Sequence, residues 1–227
     1  MTSGSKTWEG IQEHTKIGGM DVFLSPIEKM KPESFIDILF FDPPAVDPTW
    51  SLNTYKNWFQ FEVMTILDAF AKKDAVLILT PRDRKGGVWL KSLATASIIQ
   101  EDNWNLFRQV MWRRQEADYN RSRYAFGNIF FFRRGNRPVN DSSPIRYKDI
   151  IYIKDSPKEG MIGELPVELV EVCLSLFMKP NDVVMDPFAG TGAVAVGALK
   201  LGLRSLSVEI DKDNYHYIIK RLGGLTI

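Results

Sequence analysis

Residues 182–211 read DVVMDPFAGTGAVAVGALKLGLRSLSVEID, and their order of textures decides the fold class. The apolar run before Asp186 predicts a buried strand that closes on an acid. PFAGTG then predicts a tight loop, the small residues of 191–201 a helix, and SLSVE a second strand ending on Glu209. Glycines at such a loop let backbone approach a ligand, and the helix start supplies unpaired N–H donors. Glu209 stands 19 residues after Gly190, where a strand-end acid can accept both hydroxyls of a ribose. The pattern points to a nucleoside-containing cofactor. The plainer alternative is a glycine turn that serves only helix–strand packing.

Two cofactor classes compete for this loop. GTGAVA fits the G-x-G-x-x-[GA] dinucleotide pattern, which keeps a nicotinamide enzyme in view. Against it, Asp186 and Phe188 precede the glycines, and an acid there would repel a pyrophosphate. It would suit the ammonium of an amino acid, as in S-adenosylmethionine, which has a ribose and no phosphate. Only 18 residues follow Glu209, so the other strands of the sheet are expected earlier in the chain.

Those earlier strands are visible. Gly18–Leu24 reads as a strand, Asp37–Phe41 (DILFF) as a central strand covered on both faces, and Ala75–Thr80 (AVLILT) as its neighbour. Helices are expected at 26–30, 55–72, 86–99, 165–178 and 211–222. Strands alternating with helices predict an α/β parallel sheet. Residues 104–163 differ: NLFRQVMW and GNIFFFRR predict a β hairpin, and 136–163 a polar, loop-rich insertion. The whole of 1–227 is read as a single domain.

The strand at 37–41 exits into FFDPPA, residues 40–45. Two prolines end a strand abruptly and fix the backbone around the carboxylate of Asp42. Taken alone, Asp42 is better explained as a turn cap. FFDPPA followed far downstream by DPFAGTG, however, resembles the β-class of S-adenosylmethionine-dependent DNA amino-methyltransferases. In that class a D-P-P-Y-type tetrapeptide precedes a D-P-F-x-G-x-G loop. The similarity runs from about Gly18 to Leu222.

The resemblance implies a circularly permuted, doubly wound methyltransferase (Rossmann-like) sheet with a small insertion, and S-adenosylmethionine as cofactor. It implies that Asp186, Phe188, Gly190, Thr191 and Gly192 line the cofactor and that Glu209 holds the ribose. Asp21, in GGMDVF, matches the position that bonds the adenine amino group. Asp42, Pro43 and Pro44 would form the catalytic group, with adenine N6 or cytosine N4 as target. Two positions depart from the pattern: Ala45 replaces the aromatic residue that stacks on the flipped base, and Leu165 replaces the lysine of K-P-V-E-L. Trp50, Tyr55 or Tyr124 could restore a ring. A degenerate, methyltransferase-like subunit and an RNA amino-methyltransferase therefore stay open as alternatives.

Charge and composition fit this picture. The net charge is +1, yet residues 108–148 hold ten Lys/Arg against three Asp/Glu. RRQEADYNRSRYAF sets Arg113, Arg114, Arg121 and Arg123 beside Tyr124, a phosphate- and base-contacting combination. The alternative is a solvated loop that keeps a sheet edge soluble. Nucleic acid, DNA before RNA, is the expected partner, together with a homodimer or partner subunit. No metal is expected, since His14, His216 and Cys173 are isolated from one another. The lone Cys173, on an apolar helix face, supplies no nucleophile for cytosine C5 chemistry. No membrane span or signal-peptide core is present in the sequence, and a cytoplasmic location is expected.

Overall fold

The computed structural model describes residues 11–30, 34–44, 49–81, 91–114, 126–153 and 165–225. Its centre is a nine-stranded sheet. In chain order the strands are β1 (Glu13–Ile17), β2 (Met20–Leu24), β3 (Ile36–Phe41), β4 (Ala71–Leu79) and β5 (Asn105–Arg114). β6 (Phe126–Arg133), β7 (Ile150–Ile153), β8 (Val183–Asp186) and β9 (Arg204–Glu209) follow. Across the sheet the order is β1-β2-β9-β8-β3-β4-β6-β5-β7.

The strands β2, β9, β8, β3 and β4 run parallel. Late strands β8 and β9 are thus inserted between early strands β2 and β3, as a permuted α/β sheet requires. β3 and β8 are buried at every residue, which explains their unbroken apolar runs. β1 joins β2 as an antiparallel hairpin through Gly18 and Gly19, both at positive φ (56° and 91°), where a two-residue turn needs residues without a Cβ penalty.

Helices cover the two faces differently. α1 (Leu52–Trp58) is capped by the Ser51 side chain and runs through a wider π turn, Phe59–Met64, into α2 (Thr65–Phe70). With α3 (Lys91–Glu101) they bury Tyr55, Leu67 and Ile98 against Leu39, Phe41 and Leu77. On the other face α4 (Val167–Ser175), α5 (Ala193–Lys200) and α6 (Lys212–Gly223) pack Val170, Ala195 and Ile218 over Ile38, Val76 and Val110. The chain leaves β8 toward the second face and β3 toward the first. A crevice therefore opens beyond the carboxyl ends of these neighbouring strands, the usual ligand position in such sheets.

The hairpin expected at 104–133 is present as β5 and β6, and β6 pairs antiparallel with both β5 and β4. The described part of the insertion, 136–153, is more ordered than a polar loop, and 154–163 lie outside the described residues. It contributes β7, parallel to β5, and its Asn140 side chain donates to the carbonyls of Ser175 and Met178 (both 2.9 Å) at the end of α4. The expected helix at 26–30 is a single 3₁₀ turn, Ile27–Lys29.

Candidate active site

Four parallel strands deliver side chains to one edge. β3 ends at Phe41 and hands over to Asp42; β8 ends on Asp186, and β9 on Glu209. β2 ends at Leu24, level with Glu209, and Ser25 N–H donates to the Glu209 carbonyl (2.8 Å). The exit of β3 is fixed from its neighbour, because Thr80 N–H donates to the Phe41 carbonyl at 3.0 Å.

The loop after β8 is built around the two acids. Asp186 accepts from Phe188 N–H (3.0 Å), and Glu209 reaches across to Gly190 N–H (2.6 Å). The other Glu209 oxygen accepts from Ile210 and Asp211 N–H at 2.9 and 2.8 Å. Gly190 (φ 53°) and Gly192 (φ 79°) both require the left-handed region. They do different work. A Cβ on Gly192 would stand 2.9 Å from Ile218, so this glycine lets the loop close on α6. A Cβ on Gly190 would meet nothing within 4 Å, so backbone is presented there to open space.

The electrostatics favour a cation. Burial pushes the Asp186 carboxyl up to about 8; the Phe188 N–H opposes this, and the Glu209 and Asp42 charges add to it. Burial also raises Glu209, against the bonds from Asp211, Gly190 and Ile210. A ligand with an ammonium beside Asp186 and hydroxyls toward Glu209 would relieve both acids. A pyrophosphate would aggravate them.

Asp42 and the two prolines form the second half of the site. Pro43 is buried, and its carbonyl accepts from Lys91 Nζ at 2.7 Å; the Pro44 carbonyl lies 3.3 Å from the same nitrogen. Lys91 Nζ also stands 3.7 Å from Asp42 Oδ1. Lys91 opens α3 and is only 9% exposed. Nothing in the sequence marks it, since it is one cation among several in PRDRKGGVWLK and reaches the prolines only through the fold. Aromatic rings bridge the two halves: Phe188 lies 6.0 Å from Phe41 and 6.3 Å from Trp58, which in turn lies 5.6 Å from Trp50.

The structure therefore brings Asp42, Pro43, Pro44, Asp186, Phe188, Gly190, Thr191, Gly192 and Glu209 to one edge. It does not bring Asp21. That residue pairs in register with Leu206, three positions short of Glu209, and its carboxylate is taken by His14 (3.0 Å) and Lys16 (3.5 Å). The reason is the hairpin: Gly18–Gly19 is a turn ahead of β2, so Asp21 begins the strand and Ser25 occupies its exit. Tyr55 is also removed as a stacking ring, being 1% exposed with its hydroxyl on Thr95 Oγ1 at 2.6 Å. Leu165 is buried in the α4–α6 core. Arg113 is half-buried on β5, level with Phe126 and Tyr152. The Arg114 side chain, Arg121, Arg123, Tyr124 and Ala45 lie outside the described residues.

Comparison with known proteins bears on the family and the fold. The model of the N6/N4 methylase family, described as DNA methylase, matches residues 36–221. The chain belongs to the DNA methylase family. Within the family it is 26% identical over 161 residues to type II methyltransferase M.Cfr9I of Citrobacter freundii, covering 64% of this chain and 52% of that protein. It is 21% identical over 237 residues to M2.LlaDCHI of Lactococcus lactis subsp. cremoris, covering 87% and 85%. The chain spans about half the length of the first curated relatives it matches. Among solved structures, the cytosine-N4-specific PvuII DNA methyltransferase shares the fold with TM-score 0.74 at 16% identity, over 89% of this chain and 86% of that one. M1.HpyAVI, solved as a complex with SAM, does so with TM-score 0.64 at 16% identity, over 82% and 89%.

Proposed function

We propose that this DNA methylase family member transfers a methyl group from S-adenosylmethionine to the exocyclic amine of a base in DNA, adenine N6 first and cytosine N4 as the close variant. The observation that carries the reading is the meeting of Asp42 and the Pro43 carbonyl with the Asp186–Glu209 glycine loop at one sheet edge. The loop fits the cofactor by charge: a buried acid for an ammonium, a strand-end acid for ribose hydroxyls, and open space over Gly190. When bound, S-adenosylmethionine supplies an electrophilic methyl group on a sulfonium.

The chain's own part is to prepare the nucleophile. An exocyclic amine is weakly nucleophilic because its lone pair is delocalised into the ring. Asp42 and the Pro43 carbonyl each accept one N–H, which draws the nitrogen toward tetrahedral geometry and frees the lone pair. The prolines hold the carbonyl so that little reorganisation is needed, a positioning effect. As the N–CH₃ bond forms and the S–CH₃ bond breaks, one N–H proton leaves through the Asp42 carboxylate to water. The target must be extruded from the base stack to reach these groups. Trp50, half-buried beside Trp58, offers the ring that Ala45 lacks.

The test is incubation with labelled S-adenosylmethionine and unmethylated DNA or RNA, followed by nucleoside analysis by mass. The expected products are N6-methyladenine or N4-methylcytosine in DNA. Asp42→Ala should lower kcat at least about 100-fold while leaving cofactor affinity within a few fold. Full activity in that variant would remove Asp42 from the mechanism, and label in RNA alone would reassign the substrate.

A further inference from the structure

We propose that Lys91 occupies the amine subsite of the free protein, and that the target base enters by displacing it. The proposal rests on the reading of Asp42 and the Pro43 carbonyl given above. Those two acceptors are the ones assigned to the target amine, and in the free protein a primary ammonium is hydrogen-bonded to the carbonyl and stands at ion-pair distance from the acid. Lys91 Nζ lies 2.7 Å from the Pro43 oxygen and 3.7 Å from Asp42 Oδ1.

The placement has a physical rationale in the absence of substrate. An acid that is only 12% exposed and a buried residue's carbonyl are costly to leave without a donor, and an ammonium offsets that cost. It also holds the Pro43 carbonyl in the orientation the reaction needs. The arrangement cannot persist through transfer. Positive charge gathers on the target nitrogen as it takes the methyl group, and a second cation on the same acceptors would oppose it. Two nitrogens also cannot both reach the Pro43 oxygen and Asp42 from the same side.

The backbone that carries Lys91 is held independently of its ammonium. The Lys91 carbonyl accepts from Thr95 Oγ1 (2.8 Å), and Thr95 is in turn held by Tyr55. The backbone at the head of α3 is thereby anchored, and withdrawal is a swing of the four-carbon stem. Lys91 is a positioning residue in this scheme: it keeps the subsite formed and imposes an entry cost on the incoming base, because only the fraction of molecules with Lys91 withdrawn can bind.

The experiment reads KM and kcat separately. Lys91→Met keeps the stem and removes the charge, so KM for DNA should fall about tenfold, the factor expected for one charge-assisted hydrogen bond, with a smaller change in kcat. In Lys91→Ala, added propylammonium should refill the vacated space and inhibit competitively against DNA, which it should not do in the unaltered protein. A merely structural lysine would move neither readout in this way. If Lys91→Met unfolds at the assay temperature, Lys91→Gln, a neutral side chain of similar reach, is read by the same split.

The proposal is overturned if kcat falls while KM is unchanged, or if propylammonium inhibits without competing with DNA. Asp42→Ala run in parallel separates the two ideas. Loss of activity there with an unmoved KM in Lys91→Met sinks the Lys91 proposal alone. Full activity in Asp42→Ala, or no methyl transfer to any nucleic acid by the unaltered protein, sinks both.

Discussion

Asp186 carries a proton where most aspartates do not. Its pKa of about 8 in the folded protein, against an ordinary 3.8, means the folded state binds that proton more tightly than the unfolded chain. Its contribution to stability is thus greatest below the unfolded value and is lost as pH rises toward about 8. A cationic ligand reverses the preference, because beside an ammonium the ionised form is favoured. Below about pH 8, binding of S-adenosylmethionine should then release a proton from Asp186, and affinity should rise up to about tenfold per pH unit. Titration calorimetry from about pH 6 to about 7.5, below the ligand amine's own titration, measures this slope. Asp186→Asn should bind more weakly at the upper end and lose the slope. The same slope in the Asn variant would place the titrating group elsewhere.

At the scale of elements, the site depends on strands whose other ends are pinned. Arg137 is 2% exposed and sits among the starts of the central strands. It bonds Asp182, just ahead of β8, lies 3.7 Å from Asp37 in β3, and donates to the Phe177 carbonyl at 3.0 Å. Asp37 in turn accepts from Val183 N–H (3.0 Å) and Lys72 (2.8 Å). The register of β3 beside β8, and with it the distance from Asp42 to Asp186, is therefore set from below. Arg137→Met takes the guanidinium away from buried Asp182, leaving it the Lys179 N–H (2.7 Å), and from beside Asp37, and should cost about 3 kcal/mol. Urea unfolding would show this as a lower midpoint at constant m; an unchanged midpoint would mean the acids find other partners.

None of this was legible in a sequence that reads 136–163 as a polar insertion. Arg137 looks like one more basic residue there, and the four residues of β7 are too few to show alternation. Both acquire meaning only through partners far along the chain. Arg108, Arg133, Arg134 and Arg146 tell the same story. They hold backbone carbonyls, ring faces and acids within the fold, so the basic excess of 108–148 is partly structural. By contrast β3, β8, α5 and β9 could be read directly, because each is a local apolar run closed by a turn or an acid, and the acid–glycine loop is contiguous. Asp21 was misplaced for the opposite reason: a one-strand reading of 18–24 hid the glycine turn that shifts the strand's exit to Ser25.

For the whole molecule, the question is where a nucleic acid would lie. β5 and β7 run in the same direction as β4, so their carboxyl ends reach the edge that carries Asp42. One face of these outer strands packs Val110, Trp112 and Ile151 into the α4–α6 core. The opposite face presents Met111, Phe126, Ile150 and Tyr152, each more than a third exposed, with Arg113 in register between Phe126 and Tyr152. An arginine flanked by exposed rings at the Asp42 edge is suited to phosphate and to unstacked bases. Tyr152, 65% exposed, contributes little to the core. Tyr152→Ala should therefore weaken DNA binding by about 1–3 kcal/mol and leave the unfolding midpoint nearly unmoved. Arg113→Ala should reduce the dependence of log affinity on log salt by about one, the signature of a lost phosphate contact. Fluorescence anisotropy over a salt series reads both effects, and binding by both variants indistinguishable from the unaltered protein at every salt would take this face out of the nucleic-acid path.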